Sequence, residues 1–220
     1  MTDAHTHVVR GETRSLLCAP FGSGPRAGDT VFYGTHPWYL DGFDLEAVRA
    51  AVAADPRAGI GEIGLDRLRD RTISPRMREI FEAQLALAAE LGRPVVLHGA
   101  KCWGEVVKAC LPYAGRIPAF LFHGFSRSGG LLPDIVRLNG YVSAGPALLN
   151  DHAVNYRELV RSVPEDRLLV ESDATSENAD ETPSVDMIAA RLAALLGKGA
   201  AETEALLEAN VNRFLGCIPR

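Results

Sequence analysis

Residues 95–123, VVLHGAKCWGEVVKACLPYAGRIPAFLFH, decide the fold. Val95-Val96-Leu97-His98 is an apolar run closed by a histidine, and Phe120-Leu121-Phe122-His123 repeats that design 25 residues later. Between them Trp103 to Leu111 carries a helical pattern, so the stretch reads as strand, helix, strand. Two strands joined through a helix run parallel. Similar runs at Met1 to His7, Ser15 to Cys18, Val31 to Gly34, Gly59 to Glu62, Tyr141 to Ala144 and Leu168 to Glu171 bring the count to eight. The clearest helix runs from Pro75 to Leu91. Ser74 caps it, Pro75 takes its first position, and Met77, Ile80, Phe81, Leu85, Leu87 and Ala88 form one apolar face. Further helices are expected at Leu45 to Ala54, Gly130 to Leu138, Val154 to Val163, Val185 to Leu196 and Thr203 to Asn210.

Eight strands alternating with helices point to an α/β fold of the TIM-type (β/α) barrel rather than an open sheet. The front of the chain is too short for the full pattern. Only 24 positions separate His7 from Val31, punctuated by Gly11, Pro20, Gly22, Gly24, Pro25 and Gly28. A complete barrel averages roughly 31 residues per strand-helix unit, so one or two early crossover helices should be missing. The 220 residues show no repeat and no low-complexity linker, and residues 1–220 read as a single barrel domain.

Composition supports a globular chain, with 47% hydrophobic and 23% charged residues. No run approaches the roughly 18 apolar residues of a membrane span, and Met1 to Arg10 is too polar for a signal peptide, so the expectation is a cytoplasmic protein without a membrane partner. No protein partner is evident either. Cys18, Cys102, Cys110 and Cys217 show no CxxC pairing and read as reduced thiols. A net charge of −5 argues against a broad basic nucleic-acid surface but leaves room for a small site neutralised by metal ions.

The histidines locate the chemistry, because strand ends converge on the functional face of a barrel. His5 and His7, two apart on a strand, point to one side and can share an ion. Glu62 stands in Gly59-Ile60-Gly61-Glu62-Ile63-Gly64-Leu65-Asp66, where glycines allow close approach to a carboxylate that would be costly to bury unpaired. Its plain alternative is a pairing with Arg67. His98 and His123 close consecutive strands, and Asp173 closes Leu168-Leu169-Val170-Glu171-Ser172-Asp173 about two units later. Four histidines and two carboxylates exceed what one open catalytic ion takes, so two divalent ions are expected, with Zn, Mn, Ni or Mg all suited to nitrogen and oxygen ligands. Such pairs serve hydrolysis, most naturally at phosphorus.

The ordered series DAHTH, GTHPWY, GEIGLD, VVLHGAK, LFHGFSRSG and LLVESDA resembles the TatD family of metal-dependent deoxyribonucleases within the amidohydrolase superfamily. The resemblance continues into Ala209 to Phe214, similar to the family's closing helix. It implies that His5 and His7 bind a first ion, that Glu62 bridges, that His98 and His123 serve a second ion, and that Asp173 is a first-ion ligand that also accepts a proton from the attacking water. Glu62 and Asp173 are thus the expected catalytic residues, and His36 matches the histidine of the family's HP motif as a substrate-side residue. The short stretch between His7 and Gly34, Val8-Val9-Arg10 after HxH, and HPW, GLDRL and LHGAKCW mark what looks like a short subgroup with a trimmed N-terminal part. The implied activity is phosphodiester hydrolysis, with single-stranded DNA or a small phosphoester as substrate. Hydrolysis of a phosphomonoester, amide or lactone at the same site is the alternative, and a noncatalytic metal-binding scaffold ranks behind both.

Lys101, Arg127 and Arg10 follow metal histidines by three or four positions and are candidate phosphate contacts, against the plain alternative of solvated loop charges. Trp38 is a candidate stacking residue, whereas Phe125 is expected to pack. Asp66 is expected to orient a ligand or cap a turn, Glu171 faces the same side as Asp173, and His152 reads as a surface residue.

Overall fold

The computed structural model describes residues 1–18, 25–126 and 129–218. Eight strands form one parallel sheet in sequence order: β1 (Thr2–Thr6), β2 (Arg14–Cys18), β3 (Thr30–Tyr33), β4 (Gly59–Asp66), β5 (Val95–Ala100), β6 (Phe120–Phe122), β7 (Gly140–Ala144) and β8 (Leu168–Val170). The helices are α1 (Leu45–Ala54), α2 (Pro75–Leu91), α3 (Trp103–Cys110), α4 (Leu132–Arg137), α5 (Val154–Ser162), α6 (Val185–Leu196) and α7 (Ala200–Leu215). The ends of the sheet meet just beyond β8. The Asp173 amide donates to the His5 carbonyl at 3.0 Å and the His7 amide to the Ala174 carbonyl at 2.8 Å, which makes a nearly closed barrel. Among the described residues no helix lies between β1 and β3, in line with the trimmed front.

Two strands run past their expected ends. β4 continues through Glu62 to Asp66 and β5 through His98 to Ala100. Ile60 pairs with Val95 and Ile63 with Leu97, so β4 carries one extra residue in this interval. β1 does the same between Asp3 and Thr6. Such bulges re-aim side chains, and here they sit beside His5 and Glu62. Gly64, at φ 155°, makes the close approach possible, since a Cβ there would lie 2.0 Å from the His98 carbonyl oxygen.

Alternate strand residues build two apolar layers. Ile60, Leu97, Phe120, Phe122 and Leu168 pack outward against the helices, while Ala4, Leu16, Phe32, Val96, Leu121 and Leu169 belong to a separate inner cluster with Val211 and Phe214 of α7. Helix α7 therefore covers the N-terminal end of the barrel. It runs further both ways than Thr203 to Asn210, and its buried Asn210 amide donates to the carbonyls of Glu165 and Leu168 at 2.7 and 2.8 Å. This leaves the opposite, C-terminal end open. No helix among the described residues is long and apolar enough to cross a membrane, and all four cysteines are free thiols.

Candidate metal centre

Glu62 stands at the centre of the open end, 2% exposed, with imidazoles around both carboxylate oxygens. On the Oε2 side His7 Nε2 lies at 3.2 Å and His5 Nε2 at 3.4 Å, and His5 Nε2 is also 3.4 Å from Asp173 Oδ1. Around Oε1 stand His98 Nδ1 at 2.7 Å, His123 Nε2 at 2.8 Å and His36 Nε2 at 3.6 Å. Glu62 does not pair with Arg67, which is bonded instead to Glu105. Three sets of ligand atoms come close enough together to hold an ion: His5, His7 and Glu62; His5, His123 and Asp173; and His36, Glu62 and His98.

The donor chemistry fits divalent ions. Both ring nitrogens of the fully buried His5 lack a hydrogen-bond partner, and buried polar atoms are rarely left so. Burial favours the neutral acid at Glu62, but His123, His5 and His98 together hold it well below the usual carboxylate range. Asp173 is likewise lowered against its burial by His5 and His123. Burial and His5 work against charge on His123, yet Glu62 and Glu171 raise it to about 10. His36 goes the other way, to about 3, because burial outweighs Glu62.

A further set of carboxylates holds this centre in place. Asp66 accepts from His98 Nε2 at 2.8 Å and from the Trp38 indole at 3.0 Å, as well as from the amides of Leu68 and Arg69. Burial alone would raise Asp66, but His98 and those two amides lower it to about 2. Glu171 accepts from the Gly124 amide at 2.8 Å and the Ser143 hydroxyl, and faces His123 Nδ1 at 3.5 Å. Sequence reasoning assigned no role to Asp3, which joins the two edges of the barrel. It accepts from the Ser172 amide at 3.0 Å, the Ser172 hydroxyl at 2.5 Å and the His5 amide at 3.3 Å. Burial, partly offset by those bonds, raises Asp3 to about 6. It thereby fixes His5 relative to Asp173, whose backbone is held at φ 51°. The Asp at the start of DAHTH was a visible signal, but its partner lies 169 residues away.

The expected rim residues separate. Trp38 is 43% exposed and, with Thr175 to Asn178, lines the cleft over the histidines, a space of about 540 Å³. Its indole nitrogen is anchored on Asp66 and Arg69 lies over its ring at 5.3 Å. Lys101, exposed and at φ 58°, lines an adjoining cavity with His98, His123 and Asp173. Arg127 lies outside the described residues. Arg10 is not a rim cation: its guanidinium bonds the carbonyls of Thr182 and Pro183, tying the segment after β8 to the one after β1. Phe125 is buried against Trp103 and Phe122. His152 is exposed and lines a third, larger cavity that also reaches Asp173.

The family model described as TatD related DNase matches residues 27–216. The chain is 30% identical over 198 residues to the 3'-5' ssDNA/RNA exonuclease TatD of Klebsiella pneumoniae, covering 83% of this chain and 75% of that protein. It is 31% identical over 175 residues to the protein of the same name from Dickeya dadantii, covering 77% and 64%. It is also 29% identical over 130 residues to the uncharacterized metal-dependent hydrolase YabD of Bacillus subtilis, covering 59% and 51%. The chain thus spans about half to two thirds of the length of several curated relatives it matches. Among solved structures, the TatD homologue YjjV of Escherichia coli superposes with a TM-score of 0.78 at 22% identity, covering 91% of this chain and 85% of that one. A TatD family hydrolase of Entamoeba histolytica follows at 0.67 and 14%, covering 85% and 75%, and both show the same fold.

Proposed function

Because the chain belongs to the TatD family, we propose that residues 1–220 form one divalent-metal-dependent hydrolase domain that cleaves phosphodiester bonds, with single-stranded DNA as the first substrate class. The observation that carries this reading is the partition around Glu62, whose two oxygens face separate imidazole sets. His5, His7 and Asp173 with Oε2 would hold one ion, and His98 and His123 with Oε1 a second; Zn, Mn, Ni and Mg all suit these ligands. When bound, such a pair acidifies a water and stabilises the negative charge that develops on substrate oxygens.

The residues of the chain supply the rest. Asp173 is 48% exposed, so its carboxylate opens into the cleft, and its lowered pKa keeps it an anion able to take a proton from the attacking water. Glu62 stays charged for the same reason and bridges the two sides. Lys101 places a cation where a phosphate oxygen can meet it, and the exposed part of Trp38 offers a surface to a base or sugar. The reducing cytoplasm is the expected place of action, consistent with four free thiols.

A small phosphoester is the second reading, ahead of an amide or lactone. Among the described residues lining the metal cleft and the cavity beside it, Lys101 is the one lysine or arginine, whereas long strands are held through many phosphate contacts. The test is hydrolysis of a labelled single-stranded oligonucleotide by metal-stripped protein with Mg, Mn or Zn restored, beside Asp173→Asn. Cleavage by the wild type alone, and only with metal, supports the phosphodiesterase reading. Stoichiometric metal binding without cleavage moves the assignment to small phosphoesters and lactones.

A further inference from the structure

Among the described residues, three cavities meet at Asp173. One is the cleft of Trp38, the second holds Lys101, and the third, of about 1210 Å³, extends from Asp173 and Glu171 between α5 and the one-turn helix Pro146–Leu149 that follows β7. Apart from those two carboxylates, the walls of the third cavity take no part in the metal centre. Its charge differs from that of the Lys101 cavity. Glu158, Glu171 and Asp173 bring carboxylates to it, and no lysine or arginine lines it among the described residues. A phosphate group is therefore repelled from this space, whereas Ser126, Asn155, Tyr156 and Ser162 suit an uncharged group that carries oxygens.

Tyr156, in the first turn of α5, gives this wall a fixed donor. Its hydroxyl oxygen accepts the Gly145 amide at 3.1 Å, which sets the position of the oxygen. A phenol also donates one hydrogen, and among the described residues that hydrogen has no acceptor. Glu171, in the same wall, is already engaged: Oε1 accepts the Gly124 amide at 2.8 Å and Oε2 the Ser143 hydroxyl. Burial pushes the phenol up, opposed in part by the Gly145 amide and supported by Glu171, so it keeps its proton at neutral pH. We infer that this cavity is the subsite for one uncharged alcohol arm of the phosphoester, of nucleoside chemistry, and that the Tyr156 hydroxyl is its hydrogen-bond donor. This rests on the hydrolase reading above and narrows its substrate. A phosphodiester carries two alcohol arms on one phosphate. With the phosphate at the metal centre beside Lys101, one arm lies along Trp38 and the other enters the third cavity, so a diester fills both spaces and a monoester only one.

Thymidine and the dinucleoside monophosphate TpT are the probes that test this. The chain has five tyrosines; in zinc-loaded protein with ¹³C-labelled tyrosine rings, the signal missing from Tyr156→Phe identifies Tyr156, and thymidine should shift it. Ala147 is exposed where it lines the cavity, and Ala147→Trp should weaken that titration about tenfold or more by taking up the space, at an unchanged melting temperature. On TpT, Tyr156→Phe should raise KM about 3- to 10-fold, the worth of one neutral hydrogen bond, with kcat close to the wild-type value. A Tyr156 signal that thymidine leaves in place, a titration that Ala147→Trp does not weaken, or a KM unchanged in both variants overturns the inference. If the wild type hydrolyses no phosphoester, the hydrolase reading falls, while the thymidine titration still decides whether the cavity takes a nucleoside.

Discussion

Replacing Asp66 by Asn tests how the Oε1 side of the centre is held. Four donors converge on this carboxylate: His98 Nε2 and the Trp38 indole on Oδ2 at 2.8 and 3.0 Å, and the Leu68 and Arg69 amides on Oδ1 at 2.5 and 3.2 Å. An asparagine has one carbonyl oxygen and an NH2 group, so two of the four donors then face another donor whichever way the amide turns. With the oxygen kept toward Leu68 and Arg69, the NH2 meets His98 Nε2. The imidazole relieves that conflict by moving its proton to Nδ1, the atom 2.7 Å from Glu62 Oε1, and its lone pair no longer faces the site. Loss of such an orienting partner lowers metal affinity about 10- to 100-fold, equivalent to about 1.4–2.8 kcal/mol. Zinc titration against a competing fluorescent chelator reads this directly. One binding step should weaken by that factor while the other moves less than twofold. Two steps that both stay in place, or that weaken equally, would refute the reasoning.

Other expectations follow from the same geometry. Asp3→Ala removes three hydrogen bonds at the barrel seam; at roughly 1–3 kcal/mol for the buried donors left unpaired and ~2–4 °C per kcal/mol, differential scanning fluorimetry should show a melting temperature lower by about 5 °C. In metal-free protein the raised His123 contributes stability in full below its ordinary 6.5, and this is lost as pH rises toward about 10. Glu62, lowered from 4.5, contributes above that value and loses the contribution on acidification. The melting temperature of stripped protein should therefore fall on both sides of pH 4.5–6.5. Because ligating imidazoles must shed their protons, zinc affinity should rise with pH above 6.5, and calorimetry in buffers of different ionisation enthalpy should detect proton release. Cys18, Cys102 and Cys110 are buried, and burial pushes the Cys102 thiol up to about 12. Iodoacetamide should add at most one group, at Cys217, to native protein and four after unfolding, as counted by mass spectrometry.

The parts of this fold written in local pattern were legible in the sequence. Ser74 and Pro75 start α2 where expected, with the Ser74 hydroxyl accepting from the Met77 amide, and the eight apolar runs became eight strands because each carries its own burial signal. The histidines gathered around Glu62 were readable for the same reason, since a polar residue closing an apolar run marks a strand end. What depended on distant partners was not. Arg10 looked like a rim cation, but its acceptors are carbonyls 172 and 173 residues onward. Glu62 was expected to end its strand, whereas a bulge carries it inward while β4 runs on to Asp66. The orientation of the His36 ring depends on a backbone amide two residues away, and composition and spacing do not encode it.

In the two-ion reading, Glu62 divides the open end of the barrel into two ion positions. Anomalous diffraction from crystals grown with Mn or Zn, measured at the metal edge, tests it most directly. Two peaks about 3.5–4 Å apart are expected, one bordered by His5, His7 and Asp173 and the other by His98 and His123, with His36 coordinating neither. A single peak, or a second one bound through His36, would contradict it.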